Sequence, residues 1–531
     1  MDNYYEVIIV GAGPCGVSAG NLLGRYGIRT LIIDKEADVL SIPRAIGMCN
    51  EGARILRAMG LYDALLSNMQ FIDKVRFMHQ NGKPIFFADT ADRINGYREQ
   101  HMFYQPKLES DLREGLKRFD CVELRTQVEC LQIEQGHDGV QMWLRDAQGR
   151  RHRLSCDYVM AADGARSVLR KMTGVGFEGK TYDQDWLILD VGKDPQPGKA
   201  VDFICDPQRP GVTLPAPFGK RRWEFVVKQG EDHEMMLSDQ TISRLLKPWG
   251  CADDMQIERR AIYTFHARVA ETFRVGRVFL MGDAAHITPP FAGQGMMAGL
   301  RDAYNLSWKL AAVLRGRLPS SLLDSYDRER RPQVRQIINF ARYVGNVILP
   351  QNRLSAGVRN IVFNTMRWMG IHSDERGLAI KKNPNHINGS SWRHYLRRRV
   401  LKLGTELPQY RLEDGVGTVL WMDDYLAGRF QLLSFNCAVE SYLEPETLLR
   451  WSQLQGGFLR IGSRGRGEPL TDGSGDYERL LDGGRAVLLV RPDKMMVLRC
   501  RPQQLDKKLN AYLDSLGCPV SSDRRILQGA Y

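Results

Sequence analysis

Residues 5 to 34, YEVIIVGAGPCGVSAGNLLGRYGIRTLIID, constrain the fold of this chain more than any other stretch. A β-rich run from Tyr5 to Val10 leads into Gly11, Gly13 and Gly16. A helical segment follows, with Leu22 and Leu23 on its buried side, and reaches about Tyr26. A second strand, Thr30 to Ile33, ends at Asp34, 18 residues past Gly16. Each glycine has a physical task in such a unit. Gly11 permits the tight turn, Gly13 lets backbone approach a pyrophosphate, and Gly16 lets the helix pack close to the sheet. The helix N-terminus then presents unpaired N–H groups to the phosphates, and the terminal acid accepts from a ribose hydroxyl. A glycine-rich turn that binds nothing is the bland alternative, but strand, helix, second strand and acid stand here in order. The pattern predicts a parallel βαβ unit that holds a dinucleotide, and NAD and FAD satisfy it equally.

At 531 residues the chain is too long for one simple core, so two or three domains are expected. Its 43% hydrophobic and 26% charged residues are those of an ordinary globular protein. The opening MDNYYEVIIV lacks the basic region of a signal peptide, and no apolar run approaches the roughly 20 residues that span a bilayer. A soluble cytoplasmic protein with no membrane partner is the expectation. The ten cysteines are scattered, without a CxxC pair or metal-like spacing, and read as small buried hydrophobes with no metal to hold. The net charge of +12 is densest in WRHYLRRRVLK, residues 392 to 402, with Arg393, Arg397, Arg398 and Arg399. This cluster reads either as a phosphate-binding patch or as the solvated face of a helix whose Leu396, Val400 and Leu403 pack inward. No nucleic-acid motif accompanies it, so no nucleic-acid partner is expected.

A second unusual stretch is GDAAHITPPFAGQGMMAGLRDAYNLSWKL, Gly282 to Leu310. A β-like run from Val278 to Met281 ends at Gly282 and Asp283, and two prolines then stiffen the chain. Beyond them Ala303, Leu306, Leu310, Val313 and Leu314 recur at helical spacing, and Gly316 and Pro319 end the pattern. A helix start cleared of side chains by glycine stabilises negative charge with its N–H groups and dipole. A reduced flavin carries such a charge beside its pyrimidine ring, and an acid at the preceding strand end suits its sugar-alcohol chain.

At these residues a family emerges. GDAAH, the proline pair, GQG and RDAYNLSWKL resemble the second flavin motif of the class A flavoprotein aromatic hydroxylases, the para-hydroxybenzoate hydroxylase-like fold. DYVMAADGARSVLRK (Asp157 to Lys171) resembles the family's DG segment, and PRAIG (Pro43 to Gly47) and FYQPKLESDL (Phe103 to Leu112) resemble its other flavin-contacting segments. DWLILDV, CDPQRPGVTLPAPFGKRRWEF, LLDSYDRERRP and the tail AVLLVRPDKMMVL are most similar to the 3-(3-hydroxyphenyl)propionate hydroxylase branch. The resemblance implies an α/β chain (α+β overall) in which a Rossmann-like FAD-binding domain (1–74, 101–180 and 271–345) interleaves with a mixed β-sheet substrate domain (75–100 and 181–270). A helical basic connector (346–403) and a degenerate thioredoxin-like C-terminal domain (404–531) complete it, and the latter has no CxxC for thiol redox work.

Carried over residue by residue, the resemblance places Gly11, Gly13, Pro14, Gly16, Asp34, Lys35 and Arg44 on the ADP half of FAD. It places Gln105 near the flavin phosphates and ribityl chain, and Gly282 and Asp283 at the ribityl hydroxyls. Gly293, Gly295, Met296 and Met297 face the flavin ring. Asp163 and Gly164 serve the FAD and the nicotinamide, although an acid capping the turn at a strand end is the plain alternative for Asp163. Met297 departs from the family, in which many relatives carry asparagine; the two methionines read as a flexible apolar wall for a large aromatic substrate. His286 reads either as a general base or as a histidine held within the GDAAH turn. Pro290 reads as fixing a backbone carbonyl that faces the substrate hydroxyl.

The activity implied is hydroxylation of a phenolic or other electron-rich ring. NADH or NADPH, bound transiently, reduces FAD; dioxygen forms a flavin C4a-hydroperoxide; and the ring, better as phenolate, takes the distal oxygen. The partners are a small aromatic substrate and O2, with a homodimer as the assembly left open. A meta-hydroxyphenyl acid is the favoured substrate, with a larger aromatic natural-product intermediate as the first alternative. A flavin-linked reductase or oxidase without oxygen insertion would keep every flavin motif, as would a non-catalytic flavin-binding protein. A flavin-dependent halogenase lacks support because no WxWxIP motif is present.

Overall fold

The computed structural model describes residues 3–79, 82–194, 198–249, 255–290, 293–348, 353–368, 403–463 and 470–518. They form two compact units. The first holds 1–21, 29–301 and 334–382, and the second holds 22–28, 302–333 and 383–531. This division differs from the expected one, because the flavin and sheet segments fall in one unit while 302–333 join the C-terminal residues. The basic cluster 392–402 lies outside the described residues, apart from its neighbour Leu403, which is exposed rather than packed inward.

In the first unit, the strand Tyr4–Val10 lies parallel between Thr30–Ile33 and Arg151–Ala161, with Val7 opposite both Thr30 and Tyr158. Val7, Ile8, Ile9, Leu31, Ile32 and Ile33 are fully buried, as strands covered on both faces require. Burying each such side chain contributes roughly 1.5–3 kcal/mol. The sheet runs Val122–Arg125, Thr30–Ile33, Tyr4–Val10, Arg151–Ala161, Val140–Arg145, Glu129–Gln135, and Val278–Leu280 joins the far half of Arg151–Ala161 in parallel. The carboxyl ends of Tyr4–Val10, Thr30–Ile33, Arg151–Ala161 and Val278–Leu280 thus point the same way, and each opens into one of the glycine-bearing or acidic segments.

A second sheet in the same unit is nearly all antiparallel. Its order is His286–Ile287, Gln256–Ala270, Phe177–Lys193, Arg221–Val226, Gly211–Pro215, Ala200–Ile204, Lys74–Met78, Pro84–Asp89, with a single parallel pairing of Ala200–Ile204 on Lys74–Met78. Period two splits its middle strands cleanly. Leu187, Leu189, Trp223 and Phe225 face one way and pack with Ile242 and Leu246 of the helix Asp239–Leu246. Ile188, Asp190, Arg222 and Glu224 face the other way, in register with Val212 and Leu214. On that face Val212 and Leu214 pack with Ile46 and Met102, beside the PRAIG segment.

In the second unit a seven-stranded sheet carries Gln431–Phe435 as an interior strand. That strand pairs in parallel with Gly457–Gly462, which follows the helix Pro445–Gln453, and antiparallel with Val487–Val490, the first strand of a hairpin with Met496–Cys500. Trp308, Leu318 and Leu322 share one apolar cluster with Phe430, Leu432, Trp451 and Leu509, which is why 302–333 group with this sheet. A buried polar network lies in the same unit: the Arg491 guanidinium donates to both oxygens of Glu329 at 2.7 and 3.0 Å and to Asp493 at 2.9 Å. Lys309, fully buried, donates to Glu329 at 2.9 Å and to Asn305 at 2.8 Å, and Asn305 donates to Glu329 at 2.8 Å.

Candidate active site

The first glycine loop has the geometry that its sequence demands. Gly11 has φ +106° and its N–H donates to Ile33 at 2.7 Å, and a Cβ there would lie 2.3 Å from the Ala162 carbonyl oxygen. A Cβ on Gly16 would lie 1.9 Å from the Gly11 carbonyl oxygen, at the opening of the helix Pro14–Arg25. Gly13 differs: a Cβ there meets nothing within 4 Å, so its backbone borders open space. Asp34 holds the loop from the neighbouring strand, accepting from the Ala12 N–H at 2.6 Å and the Glu36 N–H at 2.9 Å. Lys35 is exposed beside Glu36.

The second motif is pressed against the first. Cys15 Sγ donates to the Gly299 carbonyl at 3.1 Å, and Cβ atoms on Gly282 (φ +56°) and Gly299 would lie 3.1 and 3.2 Å from that sulfur. The close packing of these three small residues brings Asp283 and the start of the helix Gly295–Leu314 beside the glycine loop. Asp283 keeps exposed surface although protein surrounds it, as a side chain on the floor of an open cleft does. Withdrawal from bulk water pushes its carboxyl up from the ordinary carboxylate value, and His286 and Arg44 draw it partly back. Gly293 (φ +59°) and Gly164 (φ +78°) border open space as Gly13 does, since a Cβ on either meets nothing within 4 Å. Gly295 begins the helix with Thr288 Oγ1 3.1 Å from where its Cβ would be, and Met296 is half-buried.

Several expected residues do other work in the structure. Asp163 commits both oxygens to its own segment, accepting from Ser167 Oγ at 2.5 Å and from the Val168 and Leu169 N–H groups at 2.7 and 3.1 Å. It thereby holds the turn after the strand Arg151–Ala161, as the plain alternative has it, while Ser167 is the N-cap of the helix Val168–Met172. Gln105 is buried and its amide oxygen accepts from the Arg44 and Ala45 N–H groups at 2.8 and 2.5 Å, so it shapes the PRAIG loop. His286 is only 1% exposed, sits opposite Val269 in the sheet and packs its ring on Phe273. A ring without solvent access cannot touch a substrate, which removes it as a direct proton acceptor. The Pro290 carbonyl accepts from the Gly293 N–H at 2.8 Å, closing a turn and leaving its second lone pair. Met297 is fully buried, and its sulfur would lie 2.7 Å from a Cβ on Gly52. It therefore fills the gap over Gly52 in the helix Asn50–Ala58 and does not wall a substrate cavity; only Met296 keeps accessible surface.

Other residues that position the site are arginines. Arg170 donates to the Ala284 carbonyl at 2.8 Å and the Ala165 carbonyl at 2.9 Å, tying the DG segment to GDAAH while its guanidinium lies 3.9 Å over the Phe177 ring. Arg301 binds Glu51 at 2.9 and 2.6 Å and Gln294 at 3.0 Å, which fixes the turn before Gly295. Arg222 donates to the Arg44 carbonyl at 2.7 Å, the Pro43 carbonyl at 2.6 Å and Asp190 at 2.7 Å, and Arg259 adds a bond to Asp190 at 2.9 Å. The loop Pro43–Gly47 is thus held by Gln105 on one side and by the second sheet on the other. Sequence spacing alone carries no signal for these long-range bonds, but the alternation in RRWEF contains half of one: Arg222 and Glu224 must share a face.

The residues present fit a bound flavin dinucleotide. Three glycines border open space, one acid keeps exposed surface among surrounding protein, and a long helix begins beside it. Comparison with known proteins agrees. Residues 4–341 match the FAD binding domain family and residues 404–515 match the HcaD C-terminal domain family. A 3-(3-hydroxy-phenyl)propionate/3-hydroxycinnamic acid hydroxylase of Burkholderia cenocepacia (strain HI2424) is 35% identical over 465 residues, covering 86% of this chain and 84% of that protein. The enzyme of the same name from Comamonas testosteroni is 32% identical over 94% of this chain and 95% of its own. Among solved structures, the flavin-dependent monooxygenase PieE, in complex with FAD and substrate, superposes with a TM-score of 0.82 at 22% identity, covering 97% of this chain and 99% of that one. The p-nitrophenol 4-monooxygenase PnpA from Pseudomonas putida DLL-E4 gives 0.65 at 26% identity, covering 69% and 94%.

Proposed function

The chain belongs to the FAD binding domain family of flavoprotein aromatic hydroxylases, and from that premise we propose that it hydroxylates a meta-hydroxyphenyl alkanoic or alkenoic acid of the 3-(3-hydroxyphenyl)propionate type. It is an FAD-dependent aromatic-ring monooxygenase with NADH or NADPH as co-substrate. The observation that carries the substrate reading is the similarity to hydroxylases of that name over 86% and 94% of the chain. When bound, FAD supplies hydride acceptance and oxygen activation.

The chain's own residues do the rest. Gly11, Gly13 and Gly16 let backbone approach the pyrophosphate, and the N–H groups that open Pro14–Arg25 meet its charge. Asp34 holds that loop in shape, and Lys35 and Arg44 lend positive charge at its rim. Asp283 receives ribityl hydroxyls on the cleft floor. Gly293, Gly295 and the backbone at Met296 and Met297 would present N–H groups and a positive helix end to a bound flavin. The Pro290 carbonyl, already held by Gly293, offers its remaining lone pair to the substrate hydroxyl. The sheet face bearing Ile188, Asp190, Arg222 and Glu224 covers the ring and shuts out water.

The C-terminal segment has a degenerate thioredoxin-like architecture in this reading, supported by a parallel strand–helix–strand unit followed by an antiparallel hairpin and the helix Leu505–Ser515. A cytoplasmic location suits a nicotinamide-dependent enzyme. Among the described residues no helix is long and apolar enough to cross a membrane.

The test is NADH and NADPH oxidation by the FAD-loaded protein, with oxygen uptake and peroxide recorded, over simple meta-hydroxyphenyl acids and polycyclic phenols. Stimulation by a meta-hydroxyphenyl acid, with little peroxide and a dihydroxylated product, is the expected result. Stimulation only by polycyclic phenols would replace the substrate class, and oxidation that ends wholly in peroxide with every phenol would overturn oxygen insertion.

A further inference from the structure

We propose that Glu224 is the carboxylate that takes the proton from the substrate phenol. The inference rests on the reading of this chain as a phenol hydroxylase and adds the missing proton acceptor to it. Four observations carry it.

First, register fixes where Glu224 points. It lies mid-strand in Arg221–Val226, opposite Ile188 on one side and Val212 on the other, and shares a face with Arg222 and Asp190. That is the face from which Arg222 reaches the Pro43 and Arg44 carbonyls of the flavin-contacting loop, and on which Val212 packs with Ile46 and Met102.

Second, Glu224 is withdrawn from solvent without being closed off: its side chain is 12% exposed, against 3% for Arg222. A carboxylate in that position touches whatever fills the space over the face.

Third, its oxygens are poorly served by the protein. The Arg222 guanidinium, 4.0 Å away, is its ion-pair partner, but that is beyond hydrogen-bond distance, and Arg222 directs its hydrogen bonds to Asp190 and two backbone carbonyls instead. Among the described residues no N–H or O–H group donates to Glu224 within hydrogen-bond distance, whereas Asp190, one strand away on the same face, takes both Arg222 and Arg259. A buried carboxylate left without a donor is costly unless a ligand brings one. A phenol O–H is such a donor.

Fourth, the electrostatics of the position suit a base. Desolvation pushes the Glu224 carboxyl up from its ordinary value, Arg222 opposes this, and Asp190 adds to it. A raised carboxyl is a stronger base and still ionised above its own pKa.

In the step itself, the phenol O–H bond breaks, the proton passes to a Glu224 oxygen, and the electron pair stays on the phenolate oxygen. The ring becomes the electron-rich nucleophile that hydroxylation needs. Glu224 returns the proton to solvent when product leaves.

The experiment uses the FAD-loaded full chain with 3-(3-hydroxyphenyl)propionate as the probe, comparing wild type with Glu224→Gln and Glu224→Asp. Product formation by Glu224→Gln falls about 10²-fold at neutral pH and recovers toward pH about 10, where the free phenol ionises by itself. Glu224→Asp keeps a shifted version of the wild-type profile. Independently of turnover, the ultraviolet band of bound phenolate in wild type appears well below the pH at which the free phenol ionises, and in Glu224→Gln it does not. A Glu224→Gln loss that is the same at every pH, or a phenolate band that titrates identically in wild type and variant, overturns the proposal. If Glu224→Gln does not fold, the comparison of Glu224→Asp with wild type decides it by the same band. Wild-type protein that converts no phenol while still oxidising NADH would instead sink the hydroxylase reading, a result distinct from failure of Glu224 alone.

Discussion

Glu329 and Glu224 are both carboxylates withdrawn from solvent, and their surroundings follow different rules. Around Glu329 both oxygens find donors: Arg491 reaches each of them, and Lys309 and Asn305 add two more at one. Burial alone would push the Glu329 carboxyl up, but Arg491 and Lys309 hold it well below the usual range. Lys309 is itself drawn down to about 8, because burial disfavours its charge more than Glu329 favours it. Around Glu224 burial wins, and the carboxyl stays raised. A saturated network specifies structure, whereas an unsaturated one on a ligand-facing surface is held open for something else. The two sites therefore separate stability from chemistry within one chain.

The comparison can be broken from the saturated side first. Glu329→Ala leaves Arg491 and Lys309 buried without their shared partner, and should cost about 3–5 kcal/mol of stability in urea or thermal unfolding. Glu224→Gln, in contrast, should unfold at the wild-type denaturant midpoint or slightly above it. It removes a poorly paired charge and leaves Arg222 its bonds to Asp190, Pro43 and Arg44. If Glu224→Gln proves as destabilising as Glu329→Ala, the two sites are not different in kind.

A smaller effect is expected at the sheet's own anchor. Arg222→Ala removes the donors that hold the Pro43 and Arg44 carbonyls, so FAD should bind about tenfold or more weakly, the size of one or two charge-assisted hydrogen bonds. Equilibrium titration of apoprotein with FAD reads this directly. Unchanged affinity would mean that Gln105 and Arg259, which also donates to the Pro43 carbonyl, suffice to shape the loop.

The smallest and most diagnostic effect is in pH. Glu329 has a depressed folded pKa, so its stabilisation is complete above the ordinary value of 4.5 and is lost as pH falls through the folded one. Glu224 has a raised folded pKa, so its contribution is present below 4.5 and is lost as pH rises through the folded value. Stability differences between wild type and each Gln variant should therefore slope in opposite directions between acid and neutral pH. Parallel slopes would show that the two carboxylates share one kind of environment.

Much of the fold could be read from local pattern. The strands Tyr4–Val10 and Thr30–Ile33, the helix between them, and the helix Gly295–Leu314 follow from apolar period and glycine placement, because their constraints act over a few residues. What escaped were contacts set by distant chain. Met297 looks like a pocket residue until Gly52, far back in sequence, is seen to leave room for its sulfur. That Gln105 also shapes the PRAIG loop, its oxygen accepting from the Arg44 and Ala45 N–H groups, is invisible from spacing. The grouping of 302–333 with the C-terminal residues follows from Trp308 and Leu318, which join a sheet more than a hundred residues downstream. RRWEF stood in plain sight as an alternating strand. Only pairing with Ile188 and Val212 reveals which of its faces meets the flavin loop, since a one-residue slip would exchange Glu224 for Trp223.

The two bonds from Arg222 to Pro43 and Arg44 also make a tether. The strand that carries Glu224 and the loop that borders the flavin cannot shift independently, because one guanidinium grips both. A displacement of that strand therefore strains the loop through the same two bonds.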